Sequence, residues 1–363
     1  MSADTAVLTA AREGDETAFE QLVAPYRREL HAHCYRMLGS LHDTEDALQD
    51  ALLKAWRGLK TFEGRSSLRA WLYRIATNAS LDIINRRPKQ RVLPIDEVPA
   101  WDPARGVGEP LTESVWIEPY PDEQLGLADG LAAPDARYEQ RESVELAFIA
   151  ALQHLPANQR AALILRDVLA FSAAETAELL ETSVASANSA LQRARAATDE
   201  RMPEQSQQRT LRAIGDDGLR EIVDRFVDAM DRQDVPAVVS LLAQDVAWSM
   251  PPLTSWFRGV DNVAAFLAQN PLKGAWQWKR VATTANGQPA VAAYIWDDDA
   301  QAHLPFALDV LSFDGDRIVD VTSFITRTLD VPDEDYTDWP EHGQDEERVV
   351  SVFERFGLPA RLD

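Results

Sequence analysis

Residues 43–56, DTEDALQDALLKAW, and residues 67–78, SLRAWLYRIATN, decide how the rest of the chain reads. In the first stretch Ala47, Leu48, Ala51, Leu52, Ala55, Trp56 and, just beyond it, Leu59 recur at helical spacing. Asp43 is expected as the N-cap, with Glu45 and Asp46 near the positive end of the helix dipole. Asp46, Gln49, Asp50 and Lys54 fall off the apolar stripe and form a polar face suited to a basic helix on a partner. A breaker, Thr61–Ser67, then separates this helix from another that runs from about Leu68 to Arg87, where Pro88 helps end it. Upstream, Ala18, Phe19, Leu22, Val23, Tyr26 and Leu30 keep the same period, so residues 9–87 read as helices.

The second stretch lies in a basic island. Residues 51–95 hold ten Lys/Arg and two Asp/Glu, in a chain of 363 residues with a net charge of −23. A chain this acidic is repelled by nucleic acid unless its positive charge is concentrated, because phosphate attraction is local and screened. Here the arginines sit beside aromatics: Trp71, Tyr73, Arg74 and Asn78, with Arg86 and Arg87 further on. Aromatic–arginine surfaces suit bases taken out of the stack, at roughly 1–3 kcal/mol per stacked base. The competing reading places Trp71, Leu72 and Ile75 in the core, while the arginines are harder to bury.

Downstream the character changes. Residues 88–135 contain eight of the chain's 20 prolines, and residues 96–135 carry ten acidic residues and one basic. No period survives, yet Trp101 and Trp116–Asp122 are too aromatic for a passive tether, so this linker is expected either as a spacer or as an extended peptide docked into something. Residues 136–200 are helical again. Leu155-Pro156 marks an entry, Ser172–Glu175 is a capping box, and a helix runs from Val184 to about Thr198 after a tight turn, making a helix-turn-helix candidate. Past a polar link at 203–214, a third unit at 215–330 opens with helices at Leu219–Met230, Val238–Leu242 and Val260–Leu267. It then turns to period two at Trp276–Trp278, Ala290–Trp296, Ala307–Phe313 and Ile318–Ile325, with Asp314-Gly315 as a hairpin turn. Helices followed by a meander of strands read as α+β with a curved sheet. The tail, 331–363, is acidic and ends in an amphipathic turn at Val349–Phe356.

One cysteine, Cys34, excludes an internal disulfide and a thiolate metal cluster and fits a reducing cytoplasm. The start of the chain does not read as a secretion signal, and no window approaches the roughly 18 apolar residues of a membrane span. No cofactor or metal is expected. Asp297-Asp298-Asp299 reads as a solvated turn because no second ligand cluster converges on it.

Residues 43–56 resemble the core-polymerase-binding helix of bacterial sigma factors of the extracytoplasmic-function class, and residues 67–78 resemble the helix that opens and reads the −10 promoter element. Leu155-Pro156-Ala157-Asn158-Gln159-Arg160 begins a stretch similar to the −35-reading domain, with Ser183–Thr198 in the place of its recognition helix. Three motifs in order cover about residues 14–200. The resemblance implies that Asp46, Gln49 and Asp50 contact the polymerase clamp. It assigns −10 DNA to Phe62, Arg65, Ser66, Ser67, Trp71, Arg74, Asn78, Arg86 and Arg87, and −35 DNA to Ser186, Asn188, Ser189, Gln192, Arg193 and Arg195. Asn and Gln suit adenine and Arg suits guanine. Asn188 and Ala190 stand where related sigma factors often carry arginine, which implies a weaker or different −35 grip. The linker is implied to thread into the polymerase active-site cleft as a mimic of RNA.

The third unit resembles the SnoaL-like polyketide-cyclase fold on Asp245–Pro252, Phe257-Arg258-Gly259 and the Asp314-Gly315 hairpin. That implies a cone-shaped α+β barrel whose candidate pocket is lined by Trp248, Met250, Trp256, Trp296, His303 and Asp309. Trp276, Trp278 and Phe306 are further wall residues, and Asp245 is a further acid/base group. The fold expected is therefore multidomain: a helical sigma region 2 (1–90), an acidic proline-rich linker (91–135), a helix-turn-helix region 4 (136–202), the SnoaL-like barrel (215–330) and an acidic tail (331–363).

The function expected is that of a non-enzymatic, cytoplasmic sigma factor. It binds core RNA polymerase, recognises and melts promoter DNA, and is regulated in cis by the barrel, which is open to an unknown small-molecule ligand. The alternatives are a ligand-responsive helix-turn-helix regulator and a cyclase or isomerase with a DNA-binding appendage.

Overall fold

The structure, a computed structural model, describes residues 3–64, 66–87, 89–108, 116–125, 135–203, 205–326 and 346–363. Its helices are α1 (Ala3–Glu13), α2 (Glu16–Val23), α3 (Arg27–Leu38), α4 (Leu41–Gly58), α5 (Leu68–Arg86), α6 (Pro94–Glu97), α7 (Asp135–Glu142), α8 (Leu146–Gln153), α9 (Ala157–Leu163), α10 (Ala173–Leu179), α11 (Val184–Asp199), α12 (Gln207–Ile214), α13 (Asp216–Asp231), α14 (Val235–Val239), α15 (Val260–Gln269) and α16 (Glu346–Arg355). The strands are β1 (Leu242–Ser249), β2 (Trp256–Arg258), β3 (Trp278–Ala285), β4 (Gln288–Asp297), β5 (Ala302–Asp314) and β6 (Arg317–Ile325). Two units follow: Met1–Arg91 with Gln124–Gly126 and Ala147–Met202, and Val92–Glu123 with Leu127–Leu146 and Pro203–Asp363.

The first unit is helical, and serines start its main helices. Ser67 Oγ accepts from Ala70 N at 3.1 Å to open α5, and Ser183 Oγ accepts from Ser186 N at 3.1 Å to open α11. Ser172 and Glu175 form the expected capping box on α10. At α4 the N-cap is Ser40 and not Asp43. Leu41 is buried and extends the apolar stripe upstream, so the helix begins earlier. Asp43 is left inside the first turn, where its carboxylate meets Arg91 at 2.8 Å and also Arg87. α3 and α5 pack on α4, and α9 and α10 pack against α5. Within this unit the buried Arg160 of α9 donates to four oxygens: Gln153 Oε1 (2.6 Å), Gln153 O (2.8 Å), Leu155 O (3.1 Å) and Met37 O. Burial pushes its guanidinium down to about 10. Gln153 also donates to Arg36 O at 3.2 Å. Tyr73 and Phe171 meet edge-to-face at 5.4 Å, with the Arg69 guanidinium against both rings.

The second unit is a six-stranded sheet in the order β2-β1-β6-β5-β4-β3, parallel only between β1 and β6. α13 and α15 supply its core through Phe226, Met230, Val263, Phe266 and Leu267 against Trp248, Phe257, Val291 and Val321. The α+β reading holds, with two local differences. Asp234 caps α14 and Pro236 lies in its first turn, so that helix is Val235–Val239 and the chain has already entered β1 at Leu242. The β3–β4 connection is Asn286-Gly287, both left-handed at φ 55° and 67°, a turn for which Asn-Gly is the strongest short signal.

The linker docks within this unit. Trp101 N donates to Trp256 O (2.7 Å), Trp256 Nε1 to Val98 O (2.8 Å), and Ser255 Oγ to Val107 O. Val92 and Trp116 form a parallel bridge, and Ile117 N donates to Val92 O at 3.1 Å. Trp116, Ile117 and Tyr120 are buried. At the far end α16 seats Phe353 against Tyr294 at 5.2 Å, and His303 exchanges backbone hydrogen bonds with Leu362. The acidic residues 333–338 lie outside the described residues.

Candidate functional site

Asp46, Gln49 and Asp50 of α4 are all exposed, as their spacing requires once Ala47, Leu48 and Ala51 are buried. Lys54 bridges Asp50 (2.8 Å) and Asp82 of α5 (3.4 Å), tying this face to the next helix. One residue was missed: Leu53, 48% exposed, continues the row at i+3 from Asp50 and i+4 from Gln49. The available signal was an apolar side chain outside the stripe.

The α5 region divides. Phe62 and Trp71 pack together at 4.9 Å, with Arg12 over the Phe62 ring, and Trp71 is buried. These two aromatics hold the loop–helix junction together. Ser67 uses its hydroxyl as the α5 cap, and Ser66 is half-buried. Arg74 is half-buried, Asn78 and Arg86 are exposed, and Arg87 is engaged by Asp43. Arg65 lies outside the described residues. Tyr73 is a core group whose hydroxyl donates to Glu29 at 3.1 Å, and burial raises its pKa.

On α11, Ala187, Leu191, Ala194 and Thr198 are buried, and Ser186, Asn188, Ser189, Gln192, Arg193 and Arg195 are exposed. Arg195 differs from the others. It makes a two-pronged bond to Asp167 (2.8 and 2.6 Å), which lies on a π-helical turn at Ile164–Val168. That pair fixes the C-terminal part of α11 to the π-helical turn that continues α9, a bidentate geometry that also locks the guanidinium in place.

Of the six pocket residues of the barrel, Trp248 and Asp309 meet at Ser323, and the others make separate contacts. Trp248 and Met250 belong to the main core, with Trp248 Nε1 donating to Ser323 Oγ at 3.0 Å. Trp256 holds the linker. Trp296 and His303 meet edge-to-face at 5.1 Å, beside the C-terminal segment. Asp309 is buried against Ser323 and Arg280, and burial raises its carboxyl. Arg280 itself pairs with Asp231 at 2.9 Å. Among the described residues no cluster of metal-ligating side chains occurs, and Asp297 and Asp298 serve a turn.

What the barrel does assemble is a clamp around its Asn286-Gly287 turn. Tyr120 N donates to Asn286 Oδ1 and Asn286 N to Tyr120 O, both at 2.8 Å. Asn286 Nδ2 donates to Val144 O (2.8 Å), and Gly287 N to Asp122 Oδ1 (2.7 Å). Gln288 accepts from Leu146 N at 2.9 Å. Beside it, the Glu145 carboxylate caps α12, accepting from Gln207 N (3.1 Å) and Gln208 N (2.7 Å). Burial pushes Asp122 up to about 6 and Glu145 up to about 7. The turn thus grips the linker at Tyr120–Asp122 and the chain at Val144–Leu146.

Comparison with known proteins finds three matching families along the chain. Residues 22–90 match Sigma-70 region 2, residues 145–197 match Sigma-70 region 4, and residues 223–321 match the SnoaL-like domain. The ECF RNA polymerase sigma factor SigG of Mycobacterium tuberculosis H37Rv is 41% identical over 320 residues, 88% of this chain and 83% of that protein. The chain belongs to the ECF RNA polymerase sigma factors. SigJ of the same organism is 30% identical over 247 residues, 66% of this chain and 69% of SigJ. The crystal structure of the SigJ sigma factor superposes with a TM-score of 0.51 at 26% identity, over 82% of this chain and 93% of that one. As an ECF sigma factor the protein is a transcription-initiation factor and not an enzyme, and neither the repressor nor the cyclase reading is favoured. No helix among the described residues is long and apolar enough to cross a membrane.

Proposed function

We propose that this sigma factor works in the cytoplasm by placing α4 on the clamp of core RNA polymerase, α5 on melted −10 DNA and α11 on the −35 duplex. The barrel acts as an internal restraint on the linker. The observation that carries the restraint is the clamp at Asn286-Gly287, which holds residues 120–122 by three hydrogen-bonding groups of the barrel's own turn.

Asp46, Gln49, Asp50 and Leu53 supply an acidic face with one apolar centre, suited to a basic partner helix. Asn78, Arg74 and Arg86 remain available for the −10 strand, whereas Trp71 and Phe62 position the loop that precedes them. Arg87 and Arg195 act as structural braces. The −10 and −35 elements are 25 base pairs apart, roughly 85 Å at 3.4 Å per step. α5 and α10 are in direct contact in the helical unit, so engagement of both elements requires α8–α11 to leave α5. A linker released from the barrel supplies the needed length and becomes free to enter the polymerase cleft, where its acidic composition mimics RNA.

Asp50→Arg in the full chain tests the α4 assignment by pull-down with core polymerase. At least tenfold weaker retention with an unchanged thermal transition is expected. Undiminished retention contradicts the assignment.

A further inference from the structure

Val184 stands in the first turn of α11 with 44% of its surface exposed. Among the described residues it and Leu53 are the exposed large hydrophobic side chains. Its surroundings give this exposure a meaning. Ser183 caps the helix through Ser186 N, so the first turn is fixed. Val184, Asn188 and Gln192 follow at i, i+4 and i+8 and form one exposed row, flanked by Ser186, Ser189 and Arg193. Every other long side chain of that row and its flanks is polar. A branched side chain is also stiff on a helix, so fixing it against a surface costs little rotamer freedom.

The chemistry that matches one apolar group among hydrogen-bonding ones is specific. In the major groove, base edges present donors and acceptors, and the thymine 5-methyl is their apolar feature. Residues near the start of a recognition helix are those that reach base edges. We infer that Val184 is a specificity residue that reads the 5-methyl group of a thymine in the −35 element, beside the base met by Asn188. This rests on the reading that α11 enters the −35 major groove. The contact discriminates thymine from cytosine at that step without a hydrogen bond, and it gives the apolar start of α11 a role in promoter choice.

The test uses the full chain with core polymerase. A −35 element is selected from a randomised pool by that holoenzyme, and its thymines are then replaced singly by deoxyuridine, which removes only the methyl. One replacement should lower run-off output about three- to fivefold, the loss of one buried methyl group. Val184→Ala should reduce output on the thymine template to the same level and show no further loss on the deoxyuridine template. The inference is overturned if every deoxyuridine template is transcribed as well as its thymine parent, if Val184→Ala keeps the same sensitivity, or if the selected elements lack thymine. Arg193→Ala separates the underlying reading. It should lower output on thymine and deoxyuridine templates alike, whereas full activity of both variants on all templates removes α11 from the −35 groove altogether.

Discussion

Among the described residues the helical unit buries basic side chains without carboxylates, whereas the barrel unit buries carboxylates together with basic side chains. Among the described residues the helical unit buries His31, His33, Arg36, Arg91 and Arg160 and no carboxylate, whereas the barrel unit buries Asp122, Glu145 and Asp309 with Arg141, Arg280 and His303. The cause is local geometry. Between helices, Arg160 meets carbonyl ends at Gln153, Leu155 and Met37, which solvate a cation. Around the barrel, the tight turn at Gly287 and the start of α12 present N–H groups, which solvate an anion. Two carboxyls raised toward neutral pH, Asp122 and Glu145, lie in the barrel unit. In the helical unit burial holds His33 neutral, down at about 3, and Arg160 stays charged at about 10.

The largest expected effect breaks the helical side. Arg160→Met strands its carbonyl partners without a donor and should destabilise the unit by about 3 kcal/mol in denaturant titration. An unchanged midpoint would show that the buried cation is dispensable. The next effect sharpens the barrel side. Glu145 and Asp122 have native pKa values raised to about 7 and about 6 from ordinary values near 4.5 and 3.8. A raised carboxyl binds its proton more tightly in the docked state. The contacts are thus firmest below about pH 4 and weaken as pH rises to about 7. Amide exchange at Gln207, Gln208 and Gly287, corrected for intrinsic rates, should accelerate across that window. Glu145→Gln keeps an acceptor and removes the charge, so it should flatten the profile and stabilise the unit by about 2 kcal/mol at pH 8. A profile as steep as that of the parent protein would assign the titration elsewhere. The smallest effect concerns the linker alone. Trp256→Phe loses the bond to Val98 O, about 1 kcal/mol, and should speed proteolysis between residues 92 and 108 while leaving the helical unit intact. Equal cleavage rates would mean that this bond does not hold the linker.

The same contrast explains what the sequence disclosed. α4, α5, α10 and α11 were legible because period, cap and breaker agree locally, and Ser172–Glu175 and Ser183 mark their ends unaided. Even there Asp43 misled, since the choice between two capping residues depends on whether Leu41 is buried, which is a tertiary matter. The exposed residues of α11 followed from spacing, but the pairing of Arg195 with Asp167 and of Arg87 with Asp43 joins residues 28 and 44 positions apart and leaves no local trace. β1 and β2 escaped because β1 pairs in parallel with the last strand, a distant partner. Asn286-Gly287 carried a hairpin signal that was overlooked, and with it the clamp. The linker's aromatics announced docking without naming the dock, because an extended segment takes its register from the surface it meets.

Run-off transcription with core polymerase tests the restraint most directly. It compares the full chain, the full chain carrying Asn286→Gly with Trp256→Ala, and the chain ended after Gln208. Asn286→Gly keeps the left-handed turn while removing the side-chain bonds to Tyr120 and Val144. If the barrel restrains the linker, the double variant and the shortened chain should both exceed the full chain severalfold from the same start sites. Equal or lower output from both would contradict it.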